Sequence, residues 1–283
     1  MKKGSLFQRL AAAPHILWAI MFIVFPMIFV LFFAFTDADG NFSFSNITLL
    51  SQYGHVFVLS IAFALIATAV CLVIGYPLAY FMSKQSPRAQ RILLVLVMLP
   101  MWCNLLIRTY ALMALLDNGG LLNSMLEALG LDKIQIVGTN FGVILGMIYD
   151  FLPYMVLPIF TAMTKLDPKF IEASQDLGCT SWQTMRKVIM PLTASGVISG
   201  ITMVFVPSIS TFYISQKLGA GKIDLVGDTI ERLFQNPSTY NVGAAISLVM
   251  MVLIIISVTI MNRFSDDNTN ADSKTGKTGG IMP

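Results

Sequence analysis

Six long apolar blocks separated by polar segments constrain this chain more than any other feature. Each block is as long as the roughly 20 residues that an α-helix needs to cross the hydrocarbon core of a bilayer. Charged residues make up 12% of the 283 residues, about half of the fraction in soluble domains. No period-two alternation of membrane strands appears, so we predict an all-α polytopic membrane protein. The six predicted transmembrane helices are Ile16–Thr36, Val56–Met82, Ile92–Leu116, Phe141–Thr164, Leu192–Ile214 and Val242–Asn262.

The distribution of basic residues predicts the orientation of the chain. Most of the 18 Lys and Arg residues fall on the side of the membrane that would also hold the N-terminus. Short loops rich in Lys and Arg stay in the cytoplasm, so both termini are predicted to be cytoplasmic. The net charge of +3 reflects this bias and indicates no nucleic-acid partner.

The same pattern predicts one membrane domain with two short flanking segments. Residues 1–15 form a cytoplasmic N-terminal segment, and residues 16–262 form the membrane domain. The first block is longer than the ~7–15 apolar residues of a signal peptide, and no small-residue cleavage site follows it, so we predict an uncleaved span. Residues 263–283 are polar and have too few apolar side chains to fold, so we predict a disordered cytoplasmic tail.

The residue types that catalysis or metal binding needs do not come together in this sequence. The three cysteines fall in two spans and one loop, and the two histidines fall near opposite faces of the membrane. None has the spacing of a metal site. The segment Gly276–Thr278 resembles the end of an ATP-binding loop, but the first glycine of that motif is replaced by Ala271 and no strand precedes it. We predict no catalytic residue, no metal site and no cofactor.

The loop at residues 165–190, between the fourth and fifth blocks, carries a helical pattern of its own. Asp167 followed by Pro168 favours a helix start, because aspartate caps free backbone N–H groups and proline fits the first turn. Gly178 suits the left-handed position after a helix end, and Ser181 is predicted to cap a second short helix. Two interpretations of this pattern stay open: a loop that rests on lipid headgroups, or a knob that inserts into a partner protein.

The residue string of this loop resembles the EAA motif in the permease subunits of ABC importers. That motif reads Glu-Ala-Ala, two further residues, Leu-Gly-Ala, and an apolar stretch that ends in Leu-Pro. Ser174 and Cys179 stand where alanine is usual, and both are small. The resemblance implies that the loop couples this chain to an ATP-hydrolysing subunit, with Glu172 and Gly178 as its anchors. The matching residues are Glu172, Ala173, Leu177, Gly178, Val188 and Pro191.

The resemblance extends from the first block to the sixth and is closest to the spermidine/putrescine branch of these permeases. The segments that carry it are Ile74–Ala79, Pro100–Tyr110 and Phe212–Ser215. It implies the type I ABC importer permease architecture, polyamine import, and a location in the bacterial cytoplasmic membrane in contact with lipid. The implied partners are a PotC-like second permease subunit, a dimer of ATP-binding subunits and an external polyamine-binding protein. Import of another small organic solute stays open.

Ionisable and aromatic residues within the spans are the candidates for the transport pathway. Asp150 falls about 16 Å into the fourth block at 1.5 Å per residue, and a carboxylate at that depth is costly. It is predicted either to receive an ammonium group of the substrate or to pair with Arg108. Aromatic rings attract alkylammonium groups, although Trp and Tyr also populate membrane interfaces. The other pathway candidates are Trp102, Asn104, Tyr110, Tyr149, Phe212 and Tyr213.

A self-contained secondary transporter is the alternative from another class of protein. Six spans would allow it, but such transporters are often built from repeats with paired broken helices. Neither feature is visible in this sequence. The loop at residues 165–190 would also have no use in such a protein, so the sequence favours a permease subunit driven by a partner ATPase.

Overall fold

The computed structural model describes residues 14–37 and 40–277, with side chains up to residue 263. Nearly all of this chain is helical, and a π-helical turn at Met185–Ile189 lies within α9. Short 3₁₀ turns occur at Leu50–Tyr53 and Pro237–Thr239. In chain order the helices are α1 Pro14–Ala34, α2 Ser45–Leu49, α3 Gly54–Ser83, α4 Pro87–Trp102, α5 Leu105–Leu116, α6 Leu121–Ala128, α7 Asn140–Thr164, α8 Pro168–Asp176, α9 Ser181–Leu192, α10 Ala194–Ser210, α11 Tyr213–Leu218, α12 Val226–Phe234 and α13 Tyr240–Lys277.

Within the described residues, five helical stretches are long and apolar enough to cross a membrane. The bent pair α9–α10 raises this number to six if the two helices count as one span. The prediction of a polytopic helical membrane protein is confirmed. The second and fourth predicted spans agree with α3 and α7 to within one helical turn, because both apolar blocks are bounded by polar residues. The side of the membrane on which the termini lie stays a prediction.

The predicted third span, Ile92–Leu116, is interrupted after Trp102. The next helix starts anew because Asn104 caps it, and the Asn104 side-chain oxygen accepts a hydrogen bond from the Leu106 backbone N–H at 2.8 Å. Pro100 lies in the last turn of α4 and offers no backbone donor. The cap at Asn104 therefore divides the apolar block into two helices, although the block is long enough for one continuous span.

The predicted fifth span, Leu192–Ile214, is both bent and shortened. Its first residue, Leu192, is the last residue of α9, which meets α10 at Thr193 with a bend of 67°. The helix then ends at Ser210, and Thr211 is extended with φ −66° and ψ 138°. Pro207 lies in the last turn and lacks a backbone donor. Two predicted spans are thus interrupted in the described part of the chain. The expectation that no broken helices occur was wrong, so it no longer argues against a secondary transporter.

The chain divides into two compact units, of which the first comprises Met1–His55 and Thr229–Leu253. Its small core brings Ala34 at the end of α1 together with Ala244 and Ala245 of α13. Small side chains at such a contact let two helices approach closely. Most of the apolar side chains of α1 are exposed in the isolated chain.

The second unit comprises Val56–Asp228 and Ile254–Pro283, and α7 lies in its core. Met147, Met155 and Ile159 of this helix are fully buried. α7 is more deeply buried than the other span candidates. Because α7 leads directly into the loop at residues 165–190, this well-packed helix positions the loop.

The last helix, α13, continues to Lys277, where the sequence predicted a disordered tail from residue 263. Extending an existing helix fixes one residue for each new hydrogen bond and is easier than starting a helix. Residues 1–13 and 278–283, the bulk of the predicted N-terminal segment and the end of the tail, lie outside the described residues. The division into segment, membrane domain and tail stays a prediction.

Candidate coupling site and transport pathway

The loop between α7 and α10 folds mainly as two short helices, and we call residues 165–190 the coupling unit. Its first helix, α8, begins as predicted, because the Asp167 side chain accepts a hydrogen bond from the backbone N–H two residues later at 3.0 Å. The second helix is capped by Thr180, so the prediction that Ser181 is the cap was wrong. Thr180 and Gln183 have the spacing of a capping box, in which each side chain accepts a hydrogen bond from the other residue's backbone.

Gly178 ends α8 in the left-handed conformation that the sequence predicted, with φ +78°. Two backbone hydrogen bonds close this end in a Schellman arrangement. The Gly178 N–H donates to the Gln175 carbonyl at 2.8 Å, and the Cys179 N–H donates to the Ser174 carbonyl at 3.0 Å. A methyl group added to Gly178 would meet nothing within 4 Å, so the space in front of this turn is open in the isolated chain.

A buried pair of hydroxyl groups fastens α8 to α9. Ser174 and Thr184 are both buried, and their side-chain oxygens lie 3.0 Å apart. The Ser174 hydroxyl donates to the Ile171 carbonyl at 2.7 Å. Since a hydroxyl has a single proton to donate, Thr184 is the donor to Ser174. The alanine that is usual at position 174 of the EAA motif could not make this contact.

The surface of the coupling unit carries large apolar side chains. Leu177 is 86% exposed and Trp182 is 70% exposed. Phe170 is exposed as well, and so are Glu172 and Ala173 on the same helix. Large exposed apolar side chains are typical of a surface that a partner protein covers.

The residue that joins the coupling unit to the helices beside it is Thr193, a fixed corner between α9 and α10. The Thr193 hydroxyl donates to the Ile189 carbonyl at 2.8 Å, and its oxygen lies 3.1 Å from the Tyr76 hydroxyl of α3. Thr193 is fully buried. Pro191, a predicted coupling residue, is exposed just before this corner and so lies at the base of the coupling unit.

The two helices that flank the coupling unit, α7 and α10, pack with their backbones close together. A methyl group on Gly196 would lie 2.8 Å from the Pro158 carbonyl oxygen, and one on Gly200 would lie 2.8 Å from the Met155 sulfur. Larger residues at these positions would push the helices apart, as at other small-residue contacts between membrane helices. α7 and α10 therefore form a tight pair that carries the coupling unit at its end.

Asp150 of α7 and Arg108 of α5 form a buried ion pair. One carboxylate oxygen contacts the Arg108 Nε, and the other accepts a hydrogen bond from the Thr109 hydroxyl at 3.2 Å. The Arg108 guanidinium also donates to the Pro100 carbonyl at 2.8 Å and lies 5.9 Å from the centroid of the Tyr149 ring. The pair links α4, α5 and α7 beside the break between α4 and α5. Of the two alternatives that the sequence left open for Asp150, the structure shows the pairing with Arg108.

The two interrupted spans place predicted pathway residues at their breaks. Trp102, the last residue of α4, is 72% exposed. Asn104 is exposed in the same break, although its side-chain oxygen serves as the cap of α5. Phe212 lies in the break between α10 and α11 and is exposed. Tyr149 is exposed on α7 with the Arg108 guanidinium over its ring.

Two further candidates, Tyr110 and Tyr213, meet at the end of α7 that is opposite the coupling unit. Their ring centroids lie 5.9 Å apart with the rings edge to face. The Lys217 ammonium lies 5.0 Å from the Tyr110 centroid and 5.6 Å from the Tyr213 centroid. The Gly138 N–H, just before α7, donates to the Leu218 carbonyl at 2.7 Å and holds α11 in this place. The Tyr110 hydroxyl raises the pKa of Lys217.

Sequence reasoning missed several residues that the geometry brings into these sites, namely Tyr76, Thr184, Thr193 and Lys217. Hydroxyl side chains in apolar helices commonly bond their own preceding turn, so the sequence does not distinguish Thr184 or Thr193 from other threonines. Lys217 could have been found from the sequence, because it is one of the few cations on the side predicted to be outside. No metal site emerges among the residues whose side chains are described, since no three His, Cys, Asp or Glu residues are placed to share an ion.

Comparison with known proteins assigns the chain to a family of membrane transport components. Residues 72–270 match the family described as the binding-protein-dependent transport system inner membrane component. The chain belongs to this family. The matched region contains the coupling unit together with α7 and α10, so the family relationship covers the helices that carry the candidate site.

Curated relatives match the chain over nearly its whole length. The spermidine/putrescine transport system permease protein PotB of Haemophilus influenzae is 38% identical, over 91% of this chain and 93% of that protein. PotB of Escherichia coli is 35% identical, over 88% of this chain and 94% of that protein. Both relatives are named as permease proteins of a transport system.

Solved structures of ABC importers share the fold. A chain of the bacterial ABC transporter for the acidic polysaccharide alginate aligns with a TM-score of 0.75 at 20% identity, over 92% of this chain and 95% of that chain. A chain of the MetNI methionine ABC transporter aligns with a TM-score of 0.54 at 17% identity, over 81% and 98% respectively. The expected ABC importer permease architecture is confirmed.

Proposed function

We propose that this chain is a permease subunit of an ATP-driven importer for the polyamines spermidine and putrescine. It forms half of the translocation pathway and receives movement from a partner ATPase through the coupling unit. The observation that carries this proposal is the coupling unit itself, a braced pair of helices with Leu177 and Trp182 exposed at the end of the tight α7–α10 pair. An apolar surface of this kind is covered by a partner more often than by water.

Each coupling residue has a distinct part in this proposal. The exposed Glu172 carboxylate anchors α8 to polar groups of the ATPase, while Ala173 and Leu177 fill its groove. Gly178 acts through its left-handed backbone, which turns the chain sharply enough to form a knob. Pro191 directly follows the unit, two residues before the corner at Thr193, and so supports the base of the knob.

The proposed partners follow from the family and its named relatives. They are a PotC-like second permease subunit, a dimer of ATP-binding subunits, an external polyamine-binding protein and the lipids of the bacterial cytoplasmic membrane. A related alginate importer has been seen in complex with a substrate-bound periplasmic protein, which supports the external partner. The names of the PotB relatives support the polyamine substrate.

The side chains proposed for the pathway suit a flexible cation that binds weakly at one site and then moves to the next. Because Arg108 and Thr109 engage both oxygens of Asp150, we assign Asp150 to the stability of the bundle. Ammonium groups would instead pass exposed aromatic rings, among them Trp102 and Phe212 at the two helix breaks. Each exposed cation–π contact contributes only about 0.5–1 kcal/mol, which is weak enough to release the substrate at every step.

The test is uptake of radiolabelled spermidine into vesicles that hold the assembled complex, with and without ATP. We expect ATP-dependent uptake in the unaltered protein and loss of most of it in Glu172→Ala. The matched control is Glu127→Ala, since Glu127 is an exposed glutamate of α6, 3.3 Å from Lys133, outside the coupling unit. Glu127→Ala should transport normally.

Three results would revise the proposal in different ways. ATP-dependent uptake of another solute that also needs Glu172 would keep the coupling unit and replace the polyamine. Equal losses in Glu172→Ala and Glu127→Ala would remove the coupling role of Glu172. Uptake by this chain alone, without ATP, would identify a secondary transporter.

A further inference from the structure

The Lys217 ammonium lies against two aromatic rings in the geometry with which proteins bind alkylammonium ligands. Both centroid distances, 5.0 Å to Tyr110 and 5.6 Å to Tyr213, are within the roughly 6 Å over which a ring face attracts a cation. The two rings stand edge to face. They therefore offer one cation a contact with each ring at the same time.

This cation is held much less firmly than the other one that contacts a ring. Arg108 lies near the Tyr149 ring but is buried, paired with Asp150 and bonded to the Pro100 carbonyl. Lys217 is partly exposed, and among the described side chains no carboxylate lies within salt-bridge distance of it. An ammonium on a flexible four-carbon stem with such contacts can leave and return.

We propose that Lys217 is a tethered ligand of the Tyr110–Tyr213 ring pair, and that an ammonium group of the transported substrate takes its place there. The site then binds alkylammonium groups and is kept filled by the chain itself when no substrate is present. This inference rests on the proposed function, because it names the group that a polyamine meets at the end of the bundle opposite the coupling unit. Displacement conserves charge at the rings, since one ammonium replaces another.

The first experiment measures the spermidine concentration that gives half-maximal uptake by the assembled complex. Lys217→Met removes the competing ammonium at nearly constant length, so the half-saturating concentration should fall about two- to fivefold, the strength of one exposed cation–π contact. Lys217→Arg keeps a cation on the rings and should stay near the unaltered value. Lys133→Met is the matched control, because it removes an exposed positive charge with no described ring contact in the loop before α7. Equal decreases in Lys217→Met and Lys133→Met would overturn the proposal in favour of general charge repulsion.

The second experiment detects the displacement without transport. Lysines of the assembled complex in nanodiscs are dimethylated with ¹³C, which keeps their charge, and the Lys217 signal is assigned by its loss in Lys217→Arg. The two ring faces should shift this signal upfield, and Tyr110→Leu should abolish the shift. Adding spermidine should move the signal toward the position of a solvent-exposed lysine, whereas the neutral polyol sorbitol should not.

The two experiments separate the inference from the proposed function. Spermidine uptake with an unmoved Lys217 signal would overturn the inference and leave the proposed function in place. Displacement by spermidine without any spermidine uptake would support the ammonium site and contradict polyamine import. A Lys217 signal without an upfield shift would overturn the ring contact itself.

Discussion

The coupling unit and the helix pair α5–α7 distribute their polar and apolar groups in opposite ways. In the coupling unit the polar contact between Ser174 and Thr184 is inside, while Leu177 is 86% exposed. Between α5 and α7 the Arg108–Asp150 pair lies within the packed bundle and both charges are engaged there. The difference indicates two roles. An exposed apolar surface is suited to a partner protein that covers it, whereas a buried charge pair that is engaged on both sides holds helices of the same chain together.

The largest expected effect comes from breaking the ion pair on one side. Arg108→Met leaves the Asp150 carboxylate buried without its cation, which costs about 3–5 kcal/mol in comparable pairs. The complex should unfold at a markedly lower temperature when thermal unfolding is measured in detergent. The double variant Arg108→Met/Asp150→Leu removes both charges and should recover most of the stability.

Transport by the same double variant decides whether the pair belongs to the bundle or to the pathway. If the pair is structural, the double variant should import spermidine at close to the unaltered rate, and Asp150→Asn alone should fail because of poor folding. A double variant that is stable but does not transport would show that the Asp150 carboxylate guides the substrate, contrary to our assignment.

A somewhat smaller effect is expected when the exposed surface of the coupling unit is made polar. Leu177→Ser should weaken binding of the ATP-binding subunit by about 1.5–3 kcal/mol, the value of burying a leucine, without lowering the stability of this chain. Leu129→Ser is the matched control, since Leu129 is 75% exposed at the end of α6. Titrating the purified ATP-binding subunit onto the membrane complex measures both. Equal weakening by the two variants would contradict the docking role.

Substitutions of Gly178, in the turn after α8, distinguish a role of its backbone conformation from a role in contact with the ATPase. Gly178→Ala puts a side chain on a left-handed residue, which costs about 1–2 kcal/mol, whereas Gly178→Asn tolerates this conformation better. Hydrogen exchange over the coupling unit should therefore show a larger loss of protection for alanine than for asparagine. ATP-dependent uptake should follow the same order if the conformation is what matters. If asparagine abolishes uptake while protection is kept, the ATPase packs directly against Gly178.

The smallest effect should come from the hydroxyl pair that braces the unit. Ser174→Ala restores the alanine of the EAA motif and should cost about 0.5–1.5 kcal/mol of local stability, the usual value of one hydrogen bond. Thr184→Val should cost a similar amount, and the double variant should cost little more than either alone. Hydrogen exchange of α8 and α9 supplies the three values. Additive losses would mean that the two hydroxyls do not act as a pair.

Most helix ends of the coupling unit could be predicted from local signals. Asp167 and Gly178 act where they were predicted to act, because caps and left-handed turns depend on one or two neighbouring residues. The cap predicted at Ser181 is one position off, because Thr180 and Gln183 form the capping box. Long apolar blocks likewise predicted α3 and α7 well.

Contacts between distant segments were beyond reach of the same reasoning. Arg108 and Asp150 are far apart in the chain, and the sequence alone left their pairing open. The breaks at Asn104 and Thr211 were missed because average hydropathy over a block hides a single cap or an extended residue. The contact of Lys217 with Tyr110 depends on how α11 folds back beside α7, for which the sequence has no periodic signal.

Because α9 and α10 meet at a fixed angle at Thr193, they can act as the two arms of a bent lever. At 1.5 Å per residue, α9 is about 18 Å long and α10 about 26 Å long, so their ratio is about 1.4. The buried bonds from Thr193 to Ile189 and Tyr76 resist opening of the angle between the arms. A small displacement imposed on the far end of α9 would thus give a displacement about 1.4 times larger at Ser210, where the chain breaks before Phe212.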